Sequence, residues 1–599
     1  MCAYKGVQEI LYGYSGKVLR IDLTKQKLTV EEMKRQMISD YFGGKGFGVK
    51  LLLDELPAGV DPLGPDNKLI LAVGPFTATP IPTSNRYGVF FRSPLTGFLG
   101  ESYSGGFYAP EIKKAGYDVI IIQGRATGPV YVHIRDGEVT FKDATALWGL
   151  DTHVTEDTIK QEIGNKKVKV ATIGPAGEHL VKFACICNDY WRQAGRCGGG
   201  AVMGSKNLKA IAIEGSGRIQ LADEDRLRAM ARDLLLKVPK GLSLTKNGTL
   251  GRVEQQIGLG TFPTRYWHEG FFDSYREIDA TAMHEKIFVR NMGCYNCTLT
   301  CGKRCLVRDG KYAGTEIEGP EYETVYTFGG LCTISDIRAI VKINDVCDRL
   351  GIDTMSGGNV IALAMEAYEK GKLKDEPTIH YGNAEDALRL VEDIAYRRGL
   401  GKLLAEGIKP AADALGMADV AIHCKGLEPA GYDPRGLKGM GLGYAVSSRG
   451  GCHLRSVAYH YESVGAVDRF ASKDKAAFVV GLEDRVAIID SAIVCVFARD
   501  LFFGWEDLCE MYEMVTGLKT TKVDLCEKSN RIITTARRFN IREGLTRADD
   551  LLPRRFMEEP LPRGPSKGSV ITRAEMDEML DEYYVLRGWN REGVPGPEE

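Results

Sequence analysis

No charge of one sign dominates this 599-residue chain: 78 Lys and Arg face 80 Asp and Glu, a formal net charge of -2. Without a strong field of either sign, nucleic acid and anionic membrane surfaces are excluded as principal partners. Long hydrophobic runs are missing as well. The longest, residues 119–122 and 69–73, are strand-sized and far short of the ~20 residues that cross a bilayer. Residues 1–14 carry no apolar core and no small-residue cleavage site, so no secretory signal is read there and the chain is expected to be cytoplasmic. Proline is sparse at 23, and no repeat or low-complexity tract occurs, which excludes collagen-like and linker architectures.

What is abundant is glycine, 70 residues, beyond what turns alone require and suited to tight packing or close backbone approach to a ligand. Fifteen cysteines, an odd number with no export signal, point to reduced thiols or metal ligands instead of a disulfide framework.

The texture of the chain changes near residue 215. Before it, short β-branched runs (17–23, 68–73, 87–91, 119–123, 130–135, 168–173 and 210–214) alternate with Gly, Pro, Asp and Ser, the spacing of strands and turns. After it, residues 223–238, 335–350, 358–370, 385–398 and 402–415 carry helical apolar periods, followed by helices over 471–482, 486–496, 505–516 and 525–539. The fold class is therefore α+β. A β-rich unit over 1–215 precedes a helical unit over 216–427 and a second helical unit over 428–599, whose tail from 588 is expected to be loosely held.

The sharpest chemical signal is Cys294-Tyr-Asn-Cys297-Thr-Leu-Thr-Cys301. Three thiolates on one tight loop hold three corners of a metal centre, with the fourth from Cys305 or from far away. A zinc site using Cys305 and an iron–sulfur cluster with a remote cysteine both satisfy the spacing; the radical-SAM order is reversed and fails. Three glycine-dense stretches, 43–48, 93–106 and 195–204, are candidate anion-binding loops, although none is a P-loop or a Rossmann fingerprint. Asp348-Arg-Leu-Gly351-Ile352-Asp353 reads locally as a helix end followed by a new N-cap. Glu321-Tyr322-Glu323 and His453, one of only nine histidines, carry acid–base groups that, taken singly, are commonplace.

Together, residues 11–22, Thr83-Ser-Asn-Arg86, Ser93-Pro-Leu-Thr-Gly97, residues 199–209, the cysteine run, Gly319-Pro-Glu-Tyr-Glu-Thr324 and Asp348–Asp353 resemble, in order and spacing, the aldehyde ferredoxin oxidoreductase family of tungsten enzymes. The resemblance spans about residues 11–553.

It implies a β-rich base carrying two pterin-dithiolene cofactors that bind one tungsten, covered by two mostly helical domains. Molybdenum fits the same sulfur ligands. It also implies a magnesium ion between the pterin phosphates and one [4Fe-4S] cluster held by Cys294, Cys297, Cys301 and Cys495, which displaces Cys305. Asp348, Gly351, Ile352, Asp353, Asp490 and Val494 would contact the pterins, the carboxylates accepting from pterin amino groups. Arg86 and Arg455 would supply cationic contacts. Tyr103, Ser104, Gly105, Ala184 and Cys185 would lie near the magnesium. Glu323, with Tyr322 before it, would act as general base, His453 as hydrogen-bond donor and Tyr432 as part of the cavity wall. The implied reaction is aldehyde plus water to carboxylic acid, with electrons passing to a ferredoxin or ferredoxin-like subunit.

Two rivals stand beside this expectation. One is the tungsten subunit of a low-potential aromatic acyl-CoA reductase complex, for which Cys332 near the metal would be the distinguishing residue. The other is a non-catalytic, zinc-stapled binding protein. A homodimer and a hetero-oligomer are both compatible with the sequence, which has no Glu-x-x-His motif to place a shared metal.

Overall fold

A computed structural model describes residues 11–373 and 377–597. The expected loosely held tail is corrected by it as far as it is described: Trp589 is buried against Tyr583 and Tyr584, and Gly593 accepts a hydrogen bond from Arg537. Residues 598 and 599 lie outside the described residues.

Residues 17–214 form two six-stranded sheets. The first contains β1 (Lys17–Asp22), β2 (Lys27–Glu32), β3 (Leu69–Ala72), β4 (Tyr87–Arg92), β5 (Leu99–Ser104) and β6 (Val119–Gln123) in the order β2-β1-β6-β3-β4-β5. Strand β6 reads Val-Ile-Ile-Ile because both its faces are covered; β2 is exposed along its whole length and carries Lys and Glu, which discourage edge pairing. The second contains β7 (Val130–Arg135), β8 (Glu138–Asp143), β9 (Lys169–Thr172), β10 (Ile186–Asn188), β11 (Arg192–Ala194) and β12 (Leu208–Glu214) in the order β11-β10-β9-β12-β7-β8. Beyond residue 215 helices dominate, with one small sheet of β13 (Phe288–Met292), β14 (Gly302–Leu306) and β15 (Glu316–Glu318).

Two of the glycine-dense stretches expected to be loops are largely helical, from Gly44 and from Gly199. In Gly44–Glu55 a Cβ on Gly46 would stand 1.9 Å from the Tyr41 carbonyl oxygen, and one on Gly48 2.1 Å from the Phe90 ring. In Gly199–Ser205 a Cβ on Gly204 would meet the Gly177 carbonyl at 1.9 Å. Glycine here buys backbone-to-backbone packing. The helices expected over 471–482 and 486–496 are one, Lys475–Ala492: Gly481 lies on its exposed face, where the modest cost of glycine in a helix is tolerated. The one expected over 402–415 divides into Gly401–Leu404 and Ile408–Ala414 at Gly407, whose φ of 93° suits glycine.

Candidate active site

Four cysteines from two distant parts of the chain converge on the open end of the first sheet. The stitch between them is residues 83–86. Thr83 N–H donates to Asn296 O, the Asn85 side chain donates to Tyr295 O, and Cys495 N–H donates back to Thr83 O at 3.1 Å. The buried Arg86 guanidinium donates to Cys495 Sγ at 3.4 Å and also feels Cys294 and Cys301. Cys297 and Cys301 each feel Cys294 and Cys495, and burial raises both thiols, Cys297 to about 11. Cys305 is apart: it is buried in β14 and its electrostatic partners are Lys303 and Arg308. Among the described residues no three His, Cys, Asp or Glu side chains are close enough to hold a single ion.

The two remaining sequence segments meet along an irregular strand. Ala184 bridges Ile352, and Cys185 N–H donates to Gly351 O at 2.8 Å. Asp353 caps the helix Thr354–Glu369 through the N–H groups of Met355 and Ser356, with Arg196 Nε 3.1 Å away. Asp348 accepts from Gln193 and Asn344, and burial lifts its carboxyl to about 8. In β5, Ser104 donates to Asn188, which in turn donates to Gly105 O.

Beside them lies a buried ion network. Glu101 is flanked by Lys45 at 2.9 Å and Arg455 at 3.2 Å, and its backbone oxygen accepts from Arg449 at 2.6 Å. Arg455 also pairs with Asp490 at 2.5 Å and lies over the Tyr103 ring. Burial alone would raise the Glu101 carboxyl, but the three cations outweigh it and hold it at about 2. Asp490 feels the same three cations, but burial together with the negative charge of Glu101 outweighs them and raises it. Val494 follows the left-handed Ile493 that ends the Asp490 helix and returns its N–H to Ile489 O.

Across this cleft Glu323 Oε1 stands 3.4 Å from His453 Nε2, with 18% and 12% of the two side chains accessible. Glu323 Oε2 accepts from Gly431 N–H at 3.1 Å. Burial raises its carboxyl to about 8 against the pull of that N–H and of Arg196 and Arg252. Burial and four surrounding arginines push His453 far below the usual imidazole range, so it is neutral at pH 7. The wall is tyrosine. Tyr322 donates to Gly431 O, and Tyr432 stacks on Tyr459 at 3.8 Å and on Tyr322 at 5.1 Å. Cys332 points elsewhere, its thiol buried and donating to Gly358 O at 3.5 Å.

The structure brings Glu323 beside His453, Arg455 beside Asp490, Arg86 beside Cys495 and Ala184 beside Ile352; Lys45, Glu101, Arg196, Glu428 and Arg449, which pack among them, were not anticipated. Only Arg449 had a signal, its place in Arg449-Gly-Gly-Cys452-His453-Leu-Arg455. Buried polar atoms without a hydrogen-bond partner concentrate here: Nε of Arg86, Arg449 and Arg455 and Oε1 of Glu428, while Nε of Arg196 and Oε1 of Glu323 have only the ion-pair neighbours Asp353 and His453. Each such atom costs about 1–3 kcal/mol unless a ligand satisfies it, so this donor-rich cleft fits a large, polar, anionic group.

Comparison with known proteins agrees with this geometry. Residues 18–215 match the N-terminal domain of aldehyde ferredoxin oxidoreductase, and residues 227–599 match its domains 2 and 3. The tungsten-containing aldehyde ferredoxin oxidoreductase of Pyrococcus furiosus is 42% identical over 97% of both chains. That of Thermococcus kodakarensis is 41% identical over the same shares. A solved active-site complex of benzoyl coenzyme A reductase with 1,5-dienoyl-CoA superposes with a TM-score of 0.84 at 25% identity, covering 98% of this chain and 96% of that one. The chain belongs to the aldehyde ferredoxin oxidoreductase family.

Proposed function

We propose that this protein oxidises aldehydes to carboxylic acids at a tungsten bis-pterin centre in the cleft and passes the electrons through a [4Fe-4S] cluster to a ferredoxin. The observation that carries the reading is the buried Glu323–His453 pair facing a cleft of unpaired arginine Nε atoms, itself joined through Arg86 to four convergent cysteines. Close relatives bearing that name support it. Segments 216–427 and 428–599 would act as two covering domains over the base formed by 1–215.

Arg86 and Arg455 offer donors to the cofactor phosphates and pterin edges. Asp353 and Asp490 keep acceptor capacity on the same side. Tyr103, Ser104, Gly105, Ala184 and Cys185 line the place for magnesium, and Gly351, Ile352 and Val494 bring backbone close. Both oxygens of Asp348 already accept from Gln193 and Asn344, so its part is to hold this segment in register. When bound, the metal centre supplies the two-electron oxidation.

The chain handles the protons. Aldehyde and water give carboxylic acid, two protons and two electrons. Glu323, with a carboxyl at about 8, is matched to take a proton from water or the aldehyde hydrate near neutral pH. His453, neutral, donates its N–H to the substrate oxygen. Gly431 N–H, positioned by Tyr322, keeps Glu323 aimed at the pocket, and Tyr432 closes the wall against water.

The benzoyl coenzyme A reductase likeness keeps a second reading open, a subunit of an aromatic acyl-CoA reductase. The orientation of Cys332 toward Gly358 favours the first.

Elemental analysis of anaerobically purified protein, paired with aldehyde-dependent viologen reduction, tests the reading. One tungsten and four iron per chain with aldehyde-driven reduction are expected, with iron lost in Cys495→Ser and retained in Cys305→Ser. The same metals without aldehyde turnover would favour the acyl-CoA reading, and zinc alone would refute both.

A further inference from the structure

Outside the tyrosine wall lies a group of cations with too few acids. Arg252, on the helix Gly251–Leu259, has its guanidinium 4.9 Å from the Tyr459 ring centre. Its polar contacts are Gln255 Oε1 at 3.3 Å and His460 Nδ1 at 3.5 Å, and among the described residues it has no carboxylate partner. His460 Nε2 is 3.7 Å from Asp500, and the same carboxylate serves Arg485 at 2.5 Å and Arg499 at 3.2 Å. Two arginines and His460 therefore share one aspartate, and Arg252 reaches it only through His460. Arg499 is 4% accessible, and its Nε and Nη2 have no hydrogen-bond partner despite the nearby Asp500. Burial and the arginines hold His460 at about 4, so it adds no charge at pH 7 and presents an acceptor or one N–H.

This group adjoins the pocket. Tyr459 stands 5.6 Å from His453, the histidine that faces Glu323, and Glu323 is among the groups Arg252 acts on electrostatically. A surplus of guanidinium donors at partly buried positions favours a planar anion that accepts in a fork. We propose that Arg252, Arg485 and Arg499, with His460, form a carboxylate-binding site beside the aldehyde pocket. The carboxylate has two sources: the acid formed in the reaction, or a second acidic group on an aldehyde substrate such as a short oxo acid. The assignment of the neighbouring pocket rests on the reading above; the existence of the anion site does not.

The test begins with equilibrium binding of succinate to the holoprotein by calorimetry in chloride-free buffer, with succinamide as the neutral control. Succinate is expected to bind and succinamide not, with affinity reduced about tenfold or more in Arg252→Gln and in Arg485→Gln, and partly restored in Arg252→Lys. Arg485 lies on a different helix, Lys475–Ala492, so its variant guards against misfolding at Arg252. Equal binding of both probes, or succinate affinity unchanged in both Gln variants, would overturn the site even if aldehydes are turned over. Conversely, succinate binding that is lost in the variants supports the site even if no aldehyde is oxidised.

Kinetics then separate the sources. Loss of a charge also alters Glu323 for every substrate, so the readout is the ratio of kcat/KM for succinate semialdehyde over butanal. A fall of about tenfold or more in Arg252→Gln assigns the site to the substrate carboxylate. An unchanged ratio with inhibition by butanoate weakened about tenfold assigns it to the product. If neither moves while succinate binding is lost, the site binds anions without serving this pocket, and its proposed link to the aldehyde pocket falls.

Discussion

Two buried glutamates line the same cleft in opposite protonation states. Glu101 is held at about 2 by Lys45, Arg455 and Arg449, whereas Glu323, without a cation in contact, is lifted by burial to about 8. Exposure does not explain the difference, since Glu101 is the more deeply buried of the two and yet the depressed one. What separates them is whether a cation lies within contact distance: 2.9 Å for Lys45 beside Glu101, and only a neutral imidazole beside Glu323. A carboxylate surrounded by fixed cations is structural glue, and one deprived of them becomes a proton carrier suited to neutral pH.

The contrast can be broken at either end. Glu323→Gln is expected to lower kcat by about 10²–10⁴-fold with metal content and melting temperature retained, because only proton handling is lost; a fall in metal content of similar size would make Glu323 a structural residue. Glu101→Gln leaves Lys45, Arg449 and Arg455 short of negative charge, and is expected to cost about 3–5 kcal/mol in stability, read from denaturant unfolding of the holoprotein. If both variants lose stability alike, the division of labour fails.

Acidity sharpens the comparison further. Glu101 is depressed from its ordinary 4.5 to about 2, so its stabilising contribution is complete above pH 4.5 and disappears as pH falls through about 2. Glu323 is raised to about 8, so its contribution to stability is complete below pH 4.5 and is lost as pH rises through about 8, while its competence as a base grows over the same window. Activity should therefore rise toward a limb near pH 8 as the Glu323 share of stability declines, and Glu323→Gln should remove that part of the stability profile. The smallest effect is expected at Tyr322→Phe. Losing the hydroxyl frees the Gly431 peptide whose N–H restrains Glu323, which should move the limb upward and reduce kcat by about tenfold or less.

The difference between these glutamates also marks how far sequence reasoning reaches. The cysteine run is local, so its chemistry is visible in the order of residues, and the acid–base pair is found through family likeness. Glu101 sits mid-strand in β5 with nothing nearby to distinguish it. Its partners come from Gly44–Glu55 and from the loop around Arg449, and such convergence leaves no spacing to detect. The β-branched run of β6 is legible because burial on both faces demands apolar side chains, and those of β1 and β7 because their buried positions do. Strands β2 and β10 are too polar or too short for that signal. The glycines of Gly44–Glu55 suggested a ligand loop because a Cβ clash against Tyr41 or Phe90 exists only once the chain has folded.

The stitch at residues 83–86 has a consequence for biogenesis. Arg86 and Cys495, in contact in the folded protein, are separated by 409 positions along the chain. The loop carrying Cys294 and Cys297 and the one carrying Cys495 register against each other through Thr83. The four thiols therefore cannot form one nest until residue 495 has left the ribosome, and the proposed cluster, delivered earlier, would find only the three near cysteines. If the four thiols hold the proposed cluster, its maturation waits for the segment around Cys495, so shorter partial products are disfavoured from sequestering the inorganic cargo.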